Sequence, residues 1–257
     1  VQPTAGSTAT ATSGETFAIT DPSTSTNPVV ITAPISGSFT VAPATQGAGV
    51  AINGDGNASL SIGTATTGGN PQNIGGSIVG IDEEYAGDVT ANFKNAIVDG
   101  TVNKNIFIGN GSIADNAPSD AGDFNLYINT GTGNDQIEGT VGNDFIRAGA
   151  GNDKVNSGAG DDIVRTGSGD DEVTLGSGED IVYFTVDQLQ GTQSKTLTDF
   201  DANGNDKIQI DADLQELVDI SGQGTNKITI TLSGAQTGTT TVESGGQTID
   251  DDDIEFV

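Results

Sequence analysis

The sequence predicts an all-β chain organised around a metal-dependent solenoid, and three observations carry that prediction. A nine-residue beat runs from Thr130 to Tyr183, reading TGTGNDQIE, GTVGNDFIR, AGAGNDKVN, SGAGDDIVR, TGSGDDEVT and LGSGEDIVY. Glycine holds the fourth place of every copy, aspartate the sixth and a β-branched aliphatic the eighth, which supplies a turn, a ligand and a core residue per repeat. The chain carries 36 acidic against 8 basic residues, a formal net charge of -28, and its repeat acids fall in register. Elsewhere, short Thr-, Val- and Ile-rich runs alternate with Gly, Asn, Pro and Ser, and no helical period lasts more than a turn.

Residues 1–14 (VQPTAGSTATATSG) are small, polar and uncharged, the composition of a flexible arm or linker, with an edge strand in an assembly as the alternative. Residues 15–120 form a β-rich N-terminal domain with the segments ETFAIT, PVVITAPI, SGSFTVA, ASLSIGTA, GSIVGI, DVTANF, NAIVDG and NIFIGN. Their spacing fits an antiparallel sandwich or irregular coils that continue a solenoid. Residues 121–183 are the roll itself. Its lead-in, AGDFNLYIN, keeps the apolar eighth place at Ile128 but has Phe124 and Leu126 where glycine and aspartate belong, so this coil is expected to hold no metal. Residues 184–257 read as a β cap, with a helical turn near Leu214–Val218 and strands in NKITITL, TTTVE and DIEFV. A cap is required because the last coil of a stack would otherwise expose its core.

Within one copy, glycines at places two and four permit positive φ and let carbonyl oxygens crowd inward. The aspartate at place six then supplies a carboxylate, and a three-residue strand sends its middle side chain to the core. Two copies make one coil, so turns 18 residues apart stack directly, roughly 4.8 Å from one another. Asp135 faces Asp153, Asp144 faces Asp162, Asp153 faces Asp171 and Asp162 faces Asp180. Ile137, Val155 and Val173 meet Ile146, Val164 and Val182 in a thin core. Stacked carboxylates repel unless neutralised, and six or more oxygen ligands with no nitrogen or sulfur select Ca2+ over Mg2+. The expected ligands are Asp135, Asp144, Asp153, Asp162, Asp171 and Asp180, with carbonyls of Gly131, Gly133, Gly142, Gly149, Gly151, Gly158, Gly160, Gly167, Gly169, Gly176 and Gly178. Four complete intercoil calcium sites are expected, with partial ones at the ends. Thr140 replaces glycine at one second place and disturbs the carbonyl geometry of that turn. The place-five acids Asp161, Asp170 and Glu179 read as solvated surface, with a strengthening of calcium binding as the alternative. Strands this short cannot offset their ordering entropy alone, so folding is expected to be coupled to calcium.

The chain has no Cys and no His, which removes disulfides, Ser-His-Asp and Cys-His catalysis and ordinary zinc or copper sites. Its acidity argues against nucleic acid or anionic membrane as partner. No apolar run approaches the ~18 residues that cross a bilayer, and no helix suited to insertion is evident. The chain opens at Val1 without a signal sequence and so reads as a processed product or a fragment. Asp82, Glu83, Glu84, Tyr85 and Lys94 form the only tight ionisable cluster ahead of the repeats. A paired-carboxylate mechanism needs no histidine, but IDEEYAGD reads more simply as a polar loop, and no catalytic residue is assigned. DANGND at 201–206 resembles the start of an EF-hand loop, yet position 212 is Ala where the loop's glutamate belongs, so a structural turn is expected.

The six copies resemble the GGxGxDxUx nonapeptides of the RTX (repeats-in-toxin, hemolysin-type calcium-binding repeat) family. Leu197-Thr198-Asp199-Phe200-Asp201 with Asn205-Asp206-Lys207-Ile208 is similar to the TDF…DKI segment following such repeats, and Asp253-Ile254-Glu255-Phe256-Val257 is similar to the tail of type I secretion signals. The resemblance covers 121–211 and the last few residues. It implies a right-handed parallel β-roll in a bacterial protein exported by type I secretion, folding on extracellular calcium. It does not fix the task, because such repeats accompany many functions. The expected function is a secreted structural protein, a subunit of a surface layer (S-layer), filament or matrix, that forms a homo-oligomer or polymer at the cell surface, with cell-surface polysaccharide as a further partner. The alternatives are a calcium-dependent adhesin or glycan-binding module, and the C-terminal fragment of a polysaccharide-acting enzyme.

Overall fold

A computed structural model of the chain describes residues 6–19, 29–33, 36–43, 49–53, 58–63, 72–73, 78–81, 88–92, 96–97, 106–109, 125–130, 132–200 and 205–257. Ahead of the repeats lie β1 (Thr8–Thr10), β2 (Glu15–Ile19), β3 (Val29–Thr32), β4 (Ser38–Pro43), β5 (Gly49–Asn53), β6 (Ser59–Gly63), β7 (Gln72–Asn73), β8 (Ile78–Ile81), β9 (Val89–Asn92), β10 (Ala96–Ile97) and β11 (Ile106–Gly109). The lead-in and repeats give β12 (Leu126–Asn129), β13 (Gln136–Glu138), β14 (Asp144–Arg147), β15 (Lys154–Ala159), β16 (Ile163–Arg165), β17 (Asp171–Ser177) and β18 (Ile181–Phe184). Beyond them come β19 (Gly191–Leu197), β20 (Lys207–Ile210), β21 (Val218–Ser221), β22 (Lys227–Leu232), β23 (Gly238–Ser244) and β24 (Ile254–Phe256).

Among the described residues these strands form two long sheets. One has the order β1-β3-β5-β8-β11-β12-β14-β16-β18-β20-β24, and the other β2-β4-β6-β9-β13-β15-β17-β19-β23-β22-β21. Strands β7 and β10 pair separately, in parallel. Pairing is parallel throughout both sheets until β22 and β21, which run antiparallel. The protein is therefore a parallel β-solenoid.

The stack extends beyond the repeats at both ends. Described N-terminal strands pair in parallel, as in β2 with β4 and β3 with β5, which is solenoid pairing and not that of an antiparallel sandwich. Their steps are unequal: Val29 pairs with Val50, Val50 with Val79 and Thr90 with Gln136. In the repeats the step is a constant 18 residues, pairing Val155 with Val173 and Val164 with Val182. Past the repeats it lengthens again, with Asp171 opposite Lys195 and Ile181 opposite Lys207. A 3-10 turn at Val186–Leu189, closed by a capping box between Thr185 and Gln188, takes up part of that extra length. A second 3-10 turn, Ala212–Leu214, ends where a helical turn over Leu214–Val218 is expected, and Val218 instead opens β21.

Coil length sets the width of the core. In the short repeat coils the eighth-place Ile137, Ile146, Val155, Val164, Val173 and Val182 are all buried, joined by the mostly small first-place residues such as Ala148 and Ser157. Longer coils enclose bulkier side chains: Phe17 and Phe39 near the N-terminal end, Phe184, Leu189 and Phe200 near the C-terminal end. In the lead-in coil Leu126 lies opposite Asp144 and Ile128 opposite Ile146. Antiparallel β22 and β21 close one end of the second sheet with the buried Ile228, Ile230 and Leu232.

Candidate metal centre

The 18-residue step brings the place-six aspartates into two vertical files, one along each edge of the roll. Each aspartate is at most 3 % exposed. Its Oδ1 accepts the backbone N–H of the aspartate one coil earlier, as in Asp135 N–H to Asp153 at 2.8 Å, Asp153 N–H to Asp171 at 2.9 Å, Asp144 N–H to Asp162 at 2.8 Å and Asp162 N–H to Asp180 at 2.8 Å. The files begin on coils without a repeat aspartate, where Val89 N–H donates to Asp135 at 2.7 Å and Leu126 N–H to Asp144 at 3.0 Å.

This arrangement uses one carboxylate oxygen per residue and leaves the other. Oδ2 of Asp135, Asp153, Asp162 and Asp180 is buried with no hydrogen-bond donor. Leaving a buried polar atom unsatisfied costs about 1–3 kcal/mol, and more if it is charged. Burial accordingly lifts these carboxyls far above the ordinary aspartate range: Asp153 and Asp162 to about 8, and Asp135 and Asp180 to about 6. File neighbours add to this, Asp135 and Asp171 acting on Asp153 and Asp144 and Asp180 on Asp162, while the donated backbone amides oppose it. Among the described residues no three acidic side chains converge on one point. The carboxylates arrive one per turn, so the remaining ligands to a cation must be carbonyl oxygens.

The turns provide such oxygens. Glycines at places two and four from Gly149 to Gly178 take positive φ. At Gly151, with φ of 137°, a Cβ would lie 1.9 Å from the Gly133 carbonyl oxygen of the coil beneath, so only glycine permits the approach. Convergence on a positive charge is visible in the last turn of the Asp135 file. There the Lys195 ammonium lies 2.7 Å from Gly167 O, 2.8 Å from Gly169 O and 2.5 Å from Asp171 Oδ2. One turn's second- and fourth-place carbonyls and its sixth-place carboxylate can thus surround one cation. Buried oxygens without donors, set among carbonyls and with no nitrogen or sulfur, fit calcium.

The set of available oxygens differs from the expected one at two aspartates. Asp144 is also lifted, to about 7, by burial. Its carboxylate is satisfied within its own turn, however, where Thr140 donates its N–H to Oδ2 at 2.6 Å and its hydroxyl to Oδ1 at 2.8 Å. Gly142 in that turn does not take positive φ. Asp171 Oδ2 is held by Lys195. The donorless oxygens number four and none belongs to Asp144 or Asp171; a further stacked pair, Asp180 with Asp206, adds to those read from the repeats. Asp206 is buried and accepts the Asp180 N–H at 3.1 Å, extending the second file by one coil.

The segment after the repeats contributes more than a resemblance. Asp199 accepts the Leu175 and Gly176 N–H groups at 2.8 and 2.9 Å, closing the backbone of the last repeat turn. The place-five residues also have a role beyond solvated surface. Although exposed, Asn134, Asn143, Asn152 and Asp161 each accept, through Oδ1, a backbone N–H from the following coil at 2.8–3.0 Å. Only one oxygen is needed, so Asn and Asp interchange there. The sequence signal for this role is the restriction of place five to Asn, Asp and Glu. Gly131, the cluster Asp82, Glu83, Glu84, Tyr85 and Lys94, and Asp201 and Asn203 of DANGND lie outside the described residues. Asn205 takes a left-handed φ of 79°, as a turn requires.

Residues 129–164 and 156–185 match the model of the RTX calcium-binding nonapeptide repeat, in four copies. No curated protein matches the chain.

Proposed function

From the premise that residues 129–185 are RTX calcium-binding repeats, we propose that the chain is a secreted structural protein. Its roll folds on extracellular calcium, and it then assembles with further copies of itself at or outside a bacterial cell surface. The observation that carries the calcium half is the set of four buried carboxylate oxygens without donors. At neutral pH and without a cation these groups must either hold protons or stay ionised in a poorly solvated file, and both states oppose folding. Calcium removes that opposition, so a medium rich in calcium selects the folded chain and a cytosol poor in it does not.

Support for assembly comes from the two ends of the stack. Among the described residues, β1 and β2 each pair on one side only, which leaves a row of backbone donors and acceptors at the N-terminal end of both sheets. Such edges template further strand pairing. The other end differs, because one sheet there turns antiparallel through β22 and β21. Among the described residues β24 and β21 also pair on one side only, so strand edges suited to association lie at both ends of the stack.

Electron microscopy and light scattering of the purified chain in millimolar calcium and in chelator test this reading. Ordered filaments, lattices or discrete oligomers in calcium, dispersing in chelator, are expected. A strictly monomeric particle in calcium would refute assembly, and glycan binding by that monomer would favour an adhesive module instead.

A further inference from the structure

Lys195 is completely buried inside an acidic roll. It lies on β19 directly opposite Asp171, with the pairs Glu172/Thr196 and Val173/Leu197 following in register. Asp171 in turn stacks on Asp153, and Asp153 on Asp135, each contact made by a backbone N–H to Oδ1. Lys195 therefore occupies the sixth place of the next coil in that file, where the repeat would put aspartate. In the neighbouring file the equivalent position is Asp206.

The lysine does not merely replace a ligand, because its ammonium reaches back into the turn beneath. It donates to Gly167 O, Gly169 O and Asp171 Oδ2 at 2.7, 2.8 and 2.5 Å, with Gln193 Oε1 at 3.3 Å. Those are the second-, fourth- and sixth-place oxygens of one repeat. In the turn one coil below, the corresponding Asp153 Oδ2 has no donor. Gln193, itself buried, holds this end of the file by accepting the Gly169 N–H at 2.9 Å and donating its amide to Gln190 O. An ammonium offers one positive charge and three N–H donors, enough for the three short contacts.

We propose that the Lys195 ammonium is a built-in cation filling the terminal calcium position of the Asp135–Asp153–Asp171 file. The inference rests on the calcium reading above. The end of that file closes without metal, and with Asp144 satisfied by Thr140 the six aspartate turns leave four positions for calcium. In the folded chain the cap beginning at β19 is held to the last turn of that file without a metal ion, while the Asp162–Asp180–Asp206 file continues on carboxylates to its end.

Native mass spectrometry and calorimetry of the full chain give the calcium count, and far-UV circular dichroism gives the calcium midpoint for folding. Lys195→Asp restores the repeat's sixth-place residue and should bind one calcium more than the parent. Lys195→Met keeps most of the bulk but removes the charge; it should gain no ion and raise the calcium midpoint roughly fivefold, because a buried charge loses its partner. A folded Lys195→Asp chain with the parent's calcium count would overturn the proposal. Should that variant not fold, an unchanged midpoint in Lys195→Met would overturn it equally. A parent chain that binds no calcium at millimolar concentration would fail the calcium reading itself, and this inference with it.

Discussion

The buried aspartates make the chain's response to pH depend on calcium, in a direction fixed by the shifts. In the folded chain without metal, burial places the carboxyls of Asp135 and Asp180 near 6, Asp144 near 7, and Asp153 and Asp162 near 8, against an ordinary value of 3.8. Because the folded values are raised, the stabilisation is fully present below 3.8 and is lost as pH rises through 6 to 8. Each proton held by the folded but not the unfolded chain contributes a slope of about 1.4 kcal/mol per pH unit. With several such protons, moving from about pH 5 to about pH 8 removes many kcal/mol, comparable to the whole stability of about 5–15 kcal/mol typical of a domain. In chelator, the far-UV strand signal should therefore rise as pH is lowered from about 8 to about 5, with mild acid substituting for calcium. In saturating calcium the sign reverses, because bound carboxylates are ionised and protons compete with the metal; acid should leave the signal unchanged or weaken it. The opposition between the two curves matters, because partial neutralisation of a chain with net charge -28 would by itself stabilise both states. A strand signal in chelator that is flat or falls on acidification, or two curves that rise together, would refute the reasoning.

Two further outcomes follow from the stacking. Asp153→Ala removes a donorless oxygen in mid-file together with the acceptor of the Asp135 N–H, whereas Asp135 begins the file on the Val89 coil. The calcium midpoint should rise more for Asp153→Ala than for Asp135→Ala, and equal midpoints would contradict the 18-residue stacking. Gly169→Ala would place a Cβ 1.8 Å from the Gly151 carbonyl oxygen at a φ of 131°, while Gly14→Ala meets open space at a φ of 83°. Denaturant unfolding in calcium should show a loss of about 1 kcal/mol at Gly14 from backbone conformation alone, and more than about 2 kcal/mol at Gly169, where overpacking is added.

The repeat region was legible in the sequence because chemistry and position coincide at every ninth residue. The six aliphatic eighth places and six sixth-place aspartates are all buried, and a lone Val164 or Asp162 in an aperiodic chain would have announced neither role. Ahead of the repeats the same strand-forming residues occur, but their coils differ in length. With Val50 stepping to Val79 and Thr90 to Gln136, no fixed period separates parallel coils from antiparallel hairpins. Lys195 and Asp206 were hidden for a related reason. Each occupies the sixth place of a coil lengthened by an insertion, so the register that gives them meaning exists only in three dimensions. Thr140 was legible as a disturbance but not as a solution. That its N–H and hydroxyl satisfy Asp144 depends on the curl of one turn.

The constant step of two repeats per coil also constrains how such a molecule can change in length. Consecutive copies lie on opposite sheets, β15 stacking on β13 and β14 on β12. Gain or loss of a single nonapeptide would move every later strand to the other sheet, turning the cap to the opposite side relative to the N-terminal coils, while Lys195 and Asp206 would still stack on the last two copies. Gain or loss of two copies would add or remove a whole coil and keep the two ends in their present relative orientation. The parity of the repeat number thus sets which side of the roll the lysine-closed edge shares with the N-terminal strands.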